Sequence, residues 1–202
     1  RAGILYINES DIGWRPSIDA WVKYSKHSKE VKVLLERFCD KYLETARENL
    51  GKSVSRIIPI RVLAETQTVC SIMDGIFRTV DPASLTEEQL ETYFVFACTW
   101  AFGGAMETTE QMKNFHDLWT ASYPDVKYPA EGVCFDYFYD HTTEDGWVHW
   151  DTQVEAYDHP GMIGDDCQFF DITVNTRDST RLTYIVNLLV MEAKPLMLVG
   201  NA

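Results

Sequence analysis

The chain has 202 residues, 46% of them hydrophobic and 13% aromatic, with a formal net charge of -13. That length and apolar content supply the core of one large domain or two small ones, while the acidity argues against a non-specific nucleic-acid surface, which needs clustered Lys and Arg, and against an anionic lipid surface. Five widely spaced cysteines, an odd number without a C-x-x-C pair, point to reduced intracellular thiols rather than a disulfide scaffold or zinc knuckle.

GILYIN, Gly3 to Asn8, is a β-branched and aromatic run closed by the polar Glu9 to Asp11, and reads as a buried strand. After the turn at GWRP a helical spacing begins with Ile18, Trp21 and Val22. A stronger stripe of Val31, Leu34, Leu35, Phe38, Tyr42 and Leu43 follows, with Gly51 as its stop. Pro59 stands near the start of a second long helix carrying Val62, Val69, Met73, Ile76, Phe77 and Val80. Ser84 and Glu87 have capping-box spacing and predict a third, running through LETYFVFACTWAF to Gly103 and Gly104. Tyr93, Phe94, Phe96, Trp100 and Phe102 leave that helix apolar on nearly every side, which makes it the centre of a bundle. Thr108 or Thr109 caps another helix, with Met112, Phe115, Leu118 and Trp119 inward and Pro124 at its end.

From Tyr128 the character changes. VCFDYFYD and WVHW flank HTTEDG and read as a hairpin with a longer loop. Asp151 to Asp166 is acidic, without a period, and reads as a connecting loop. FFDITVN reads as a strand, and Asp178 or Ser179 caps a helix carrying Leu182, Ile185, Val186, Leu189 and Val190. KPLMLVGNA then closes the chain as an apolar strand entering glycine. Such a strand precedes the G-x-x-x-x-G-K-[ST] phosphate loop, and it also ends many ordinary domains. No apolar run reaches the length of a bilayer span, and RAGILYINESD lacks both an initiator Met and a signal-peptide layout. Opening on Arg1 and closing in mid-strand, the chain reads as a piece of something longer.

Several groupings imitate chemistry. Asp140, His141, His149, His159, Asp165, Asp166 and Cys167 lie in one stretch but lack metal-ligand spacing, and no metal is expected. Cys134 and His149 have no third group beside them in sequence to orient a nucleophile and base. The aromatic run Phe135 to Tyr139, with Trp147 and Trp150, has the make-up of a base-stacking platform, but the acidity favours cross-strand packing pairs.

Taken in collinear order, RAGILYINESDIGW, YFVFACTWAFGGAM, VKYPAEGVCFDYFYD with WVHW, and TVNTRDSTRLTYIVNLLVMEAKPLMLVGNA resemble the dynein heavy chain, above all its axonemal forms. The resemblance spans essentially the whole chain. It implies a mainly α fold with α/β elements: an AAA+ small (lid) helical bundle, a β-hairpin, and the opening strand-helix-strand of a P-loop AAA+ large subdomain. Residues 1–16 would be the last core strand of the second module's large subdomain and 17–127 its lid. Residues 128–168 would be a bridging hairpin and loop, and 169–202 the start of the third module, truncated in the Walker A loop.

The resemblance further implies a parent that is an ATP-driven, minus-end-directed microtubule motor using ATP/ADP with Mg, carrying a coiled coil, and located in the cytoskeleton of the ciliary or flagellar axoneme. Its partners would be neighbouring AAA+ modules of the same heavy chain, microtubules, and dynein intermediate and light chains, with no nucleic acid and no membrane. Arg1 matches the arginine finger that reaches the neighbouring module's γ-phosphate, a contribution of about 10³ to 10⁵ in rate. Gly200, Asn201 and Ala202 match the first Walker A positions, and Val174 and Thr176 the adenine-packing segment. An Arg that reaches the γ-phosphate in other AAA+ lids would fall near Cys98, where FACTW holds none. The chain alone is expected to bind no nucleotide and to be inactive, with a role in coupling the second and third modules. The alternatives are a stand-alone helical protein-interaction module without a nucleotide role, and another giant ring ATPase.

Overall fold

The computed structural model describes residues 3–50, 56–106, 108–157 and 172–198. Among these the helices are α1 (Glu9–Ile12), α2 (Arg15–Tyr24), α3 (Lys29–Leu50), α4 (Val62–Ile76), α5 (Glu87–Gly103), α6 (Thr109–Ser122) and α7 (Arg177–Met191). β1 (Tyr137–Tyr139) and β2 (Trp147–His149) form one antiparallel pair, preceded and followed by 3-10 turns at Cys134–Asp136 and Trp150–Gln153.

α5 is the axis of the bundle. Every residue from 93 to 103 is buried, as the all-round apolar pattern requires, and α3, α4, β1 and the Cys134–Asp136 turn pack around it. Phe94 is completely buried, and Phe96 and Phe102 nearly so; each contributes about 1.5–3 kcal/mol of burial. The Tyr128 and Thr99 hydroxyls drawn into this core are paired, whereas the buried Trp100 and Trp150 indole N–H groups have no hydrogen-bond partner among the described residues. Tyr128 accepts from the Trp119 indole at 3.0 Å and meets the Thr99 hydroxyl at 3.3 Å, and Thr99 also donates to the Val95 carbonyl at 3.0 Å. Of the predicted inward residues of α3 and α6, Val31, Leu35, Phe38, Tyr42, Leu43, Phe115 and Trp119 are buried, and Leu34, Met112 and Leu118 are partly buried against them.

Helix starts differ from the sequence reading in detail. α5 is capped by Thr86, not Ser84: the Thr86 hydroxyl accepts from Gln89 N at 3.2 Å and Gln89 Oε1 accepts from Thr86 N at 2.9 Å. Ser84 lies inside a separate turn whose cap is Asp81. α6 repeats the box with Thr108 and Gln111. α7 is capped by Thr176, ahead of both Asp178 and Ser179, because Ser179 supplies the returning hydroxyl at 2.8 Å. Gly51, the predicted stop of α3, lies outside the described residues.

The hairpin forms as read, with Tyr137 opposite His149, Phe138 opposite Val148 and Tyr139 opposite Trp147. Its loop closes through Asp140 N to the Gly146 carbonyl at 2.7 Å, and Gly146 takes φ +72°, a conformation open to glycine at no steric cost.

Three predicted strands are absent among the described residues. Gly3 to Asn8 is irregular and exposed, with Ile4 at 96% and Leu5 at 85% exposure. The described parts of the other two, 172–176 and 195–198, are likewise without strand structure. A strand needs a neighbour for its backbone donors and acceptors, and among the described residues none lies beside these segments. The fold is therefore mainly helical with one two-stranded sheet.

Candidate functional site

The residues singled out for nucleotide contact do not come together among the described residues. Arg1, Gly200, Asn201 and Ala202 lie outside them. Val174 is 54% exposed, while the Thr176 hydroxyl is occupied in capping α7, accepting from Ser179 N at 3.2 Å. Cys98 is fully buried at the centre of α5. Residues 96–100, the FACTW stretch, therefore line no open face among the described residues.

The imitations of chemistry resolve into structure. Asp140 accepts from Thr142 N and Thr142 Oγ1 at 2.9 and 2.7 Å, and these bonds hold its carboxyl below the usual carboxylate range. His141 Nδ1 meets the Tyr93 hydroxyl at 2.9 Å, and His149 Nδ1 accepts from Asp151 N at 3.2 Å. No group of three or more metal-ligating side chains occurs among the described residues; His159, Asp165, Asp166 and Cys167 lie outside them. Cys134 is buried, and burial pushes its thiol well above the ordinary range, the opposite of an activated nucleophile. The hairpin aromatics form the expected cross-strand pairs, with Tyr139 and Trp147 5.4 Å apart and Tyr137 and His149 5.0 Å apart.

The structure instead builds a joint between the bundle and α7. Leu188 of α7 presses against Gly75 of α4, where a Cβ would stand 2.7 Å from the Leu188 carbonyl oxygen. Ile185 and Leu189 are buried beside it. Tyr184 inserts among Trp150 at 5.3 Å, Phe138 at 5.9 Å and Phe96 at 6.2 Å, so one ring touches the hairpin, the turn after it and α5. Burial raises its phenol to about 12.

Charge fixes the two ends of α7. Arg177 grips Asp151 with Nε at 2.6 Å and Nη2 at 2.5 Å, a planar fork on a carboxylate. Its Nη1 reaches Asp136 at 3.2 Å. The Arg177 hydrogen bonds hold the Asp151 carboxyl below its ordinary range. One turn on, Arg181 is only 8% exposed: it pairs with Asp178 at 2.8 Å, donates to the Phe135 carbonyl at 3.4 Å, and lies 6.0 Å from the Trp100 ring. At the far end Glu192 pairs with Arg78, just beyond α4. Ala193 closes the helix in the left-handed region at φ 52°, with Lys194 N returning to the Leu189 carbonyl at 3.0 Å.

None of the joint residues Gly75, Arg177, Arg181 and Tyr184 stands out in sequence. Arg181 occupies the first position of an i, i+4, i+7, i+8 stripe with Ile185, Leu188 and Leu189, and that spacing is the signal that finds it. Of the predicted stripe Leu182, Ile185, Val186, Leu189 and Val190, Ile185 and Leu189 are buried, whereas Leu182 is 46% and Val190 58% exposed.

Residues 33–152 match the family model described as the dynein heavy chain AAA lid domain, so the match ends before α7 begins. Over the whole chain the sequence is 34% identical to dynein axonemal heavy chain 11 of Sus scrofa and 36% identical to dynein axonemal heavy chain 9 of Homo sapiens, and covers 4% of each. It is 32% identical to the dynein beta chain, flagellar outer arm, of Chlamydomonas reinhardtii, again covering 100% of this chain and 4% of that one. The chain thus spans a small part of the curated relatives it matches. With the α5-centred bundle and the hairpin inside the matched region, the chain belongs to the dynein heavy chain family and carries its AAA lid domain.

Proposed function

We propose that this chain couples consecutive AAA+ modules in an ATP-driven, minus-end-directed microtubule motor of the ciliary or flagellar axoneme. In this reading the bundle is the lid of the second module and α7 opens the third. The observation that carries it is the joint: backbone contact at Gly75, an aromatic plug at Tyr184 and a charge clamp at each end of α7. Packed helices joined in this way move as one body, so a shift of the lid is delivered to α7 without any side-chain chemistry.

Nucleotide chemistry in this reading belongs to the whole heavy chain. Arg1 would act as the arginine finger of the neighbouring module, and Gly200, Asn201 and Ala202 would offer backbone N–H groups to phosphate. Val174, exposed as it is, is free to pack on adenine, whereas Thr176 contributes through its backbone because its hydroxyl caps α7. ATP/ADP with Mg would supply the phosphoryl chemistry, and the 202-residue chain alone would bind none.

Two measurements test the reading. A fluorescent ATP analogue titrated into the isolated chain should give no saturable signal; micromolar affinity overturns the incomplete-site view. In the full heavy chain, Gly75→Leu should preserve nucleotide binding at the first module while microtubule gliding slows several-fold. Gliding at the parent speed with that joint broken would remove the coupling role.

A further inference from the structure

Alternate residues of a strand share a face, so Tyr137, Tyr139, Trp147 and His149 stand together on one side of the hairpin. The other side is covered, because Phe138 meets Trp150 at 4.6 Å and Tyr184 at 5.9 Å. The first side lines an open groove of about 770 Å³, walled by the start of α5 and the segment 125–129.

The groove has an aromatic floor and an acidic rim. Trp147 is fixed in place: its indole N–H donates to the Lys127 carbonyl at 2.8 Å, and its ring packs edge-on to Tyr139. Glu88, Asp125 and Asp145 line the rim, exposed, and make no ion pair among the described residues. Lys41 is neutralised by Glu91 at 2.8 Å, which leaves Lys127 as the opposing cation among the lining residues.

Three carboxylates against one ammonium, set over an indole and a phenol, select a cation. The ring faces attract it and the rim carboxylates complete its charge. A guanidinium suits this better than an ammonium, because its plane stacks on an aromatic face and its fork matches a carboxylate. A nucleic acid would stack on the same rings but set its phosphates against the rim.

We propose that this groove docks an arginine-bearing extended segment of a partner protein, with the guanidinium over Trp147 and Tyr139 and facing Glu88 and Asp145. The site is separate from the α7 joint and stands whether or not the coupling role does.

The test uses the 202-residue chain, isotope-labelled, and the peptide acetyl-Gly-Arg-Gly-Arg-Gly-amide. Its control carries citrulline for arginine, which keeps the shape and removes the charge. The Trp147 indole resonance, assigned with Trp147→Phe, should shift saturably with the arginine peptide, and the citrulline peptide should bind at least about tenfold more weakly. Glu88→Gln combined with Asp145→Asn, both at exposed positions, should weaken the arginine peptide by about three- to tenfold while the other indole resonances stay in place. Equal binding of the two peptides, shifts that spare Trp147, or indifference to the double substitution would overturn the assignment. So would a Trp147 shift that tracks protein concentration without peptide, which would name a second copy of the chain as the occupant.

Discussion

Gly75 in α4 lies so close to Leu188 in α7 that a Cβ on it would come within 2.7 Å of the Leu188 carbonyl oxygen and 2.9 Å of the Leu188 Cβ. The nearest atom is backbone, so no rotamer change makes room. In an exposed helix Gly→Ala favours folding by about 1 kcal/mol, whereas overpacking of this kind costs about 1–3 kcal/mol. The cost exceeds the gain over most of that range, so Gly75→Ala is expected to lower stability by up to about 2 kcal/mol. Hydrogen exchange should localise the loss, with α7 amides exchanging faster and α5 amides unchanged. A gain in the urea midpoint would contradict the close approach.

Two arginines one turn apart on α7 should behave differently. Arg177 forms its fork with an exposed Asp151, and exposed pairs contribute about 0–1 kcal/mol. Arg181 is buried, and removing it leaves the Phe135 carbonyl without this donor, a loss of about 1–3 kcal/mol. Arg181→Ala should accordingly destabilise more than Arg177→Ala in urea unfolding. Added salt should blunt the Arg177 effect more than the Arg181 effect, since the exposed Asp178 pair is only part of what Arg181 makes. The reverse order would place the anchor of α7 at the wrong residue.

The cap of α5 offers a sharp contrast. Thr86 exchanges bonds with Gln89 at both ends of the box, while the Ser84 hydroxyl donates to the Asp81 carbonyl in a separate exposed turn. Thr86→Ala should cost about 1 kcal/mol, and Ser84→Ala a few tenths of that or less. Thermal unfolding of the two variants side by side decides which residue starts the helix.

That contrast also shows what can be read from this sequence. Helix α5 is legible because Tyr93 to Phe102 is apolar all round, and the hairpin because two aromatic runs flank a polar loop. The cap lies two residues beyond Ser84: Ser84–Glu87 and Thr86–Gln89 both satisfy the same spacing, and only the Asp81 turn separates them. The segments at Gly3 and Pro195 have local β propensity, which acts through neighbours that the described residues do not include. The joint was hidden for a different reason. Gly75 matters through what approaches it and carries no local pattern, while Arg181 shares the spacing of Ile185, Leu188 and Leu189 but has a side-chain type that argues against burial.

Ala193 holds the left-handed region at φ 52° where α7 ends. A residue with a Cβ pays about 1–2 kcal/mol there relative to glycine, partly offset by the greater freedom of glycine in the unfolded chain. Ala193→Gly should therefore stabilise the chain by about 0.5–1 kcal/mol, visible as slower exchange of the last α7 amides. No change would mean that the Lys194 N to Leu189 carbonyl bond does not persist in solution.

His116 gives the chain a defined response to acid. Its Nδ1 accepts from Cys134 N at 3.1 Å, which ties α6 to the turn before the hairpin and requires the neutral ring. Burial lowers its pKa below the ordinary 6.5, against a smaller opposing pull from Asp117 and Asp136. The unfolded chain thus takes up this proton first, so the contribution is present above 6.5 and is lost as pH falls through the folded value. His27 is depressed in the same direction by burial against Phe77, so both act in one window. Between about pH 7.5 and about pH 5.5 the urea midpoint should fall, the His116 share reflecting a hydrogen bond of about 0.5–1.5 kcal/mol. His116→Gln, which keeps an acceptor but does not titrate, should flatten that part of the slope and leave the His27 part. A His116→Gln profile as steep as that of the parent chain would mean that the Cys134 amide is not bound by the imidazole.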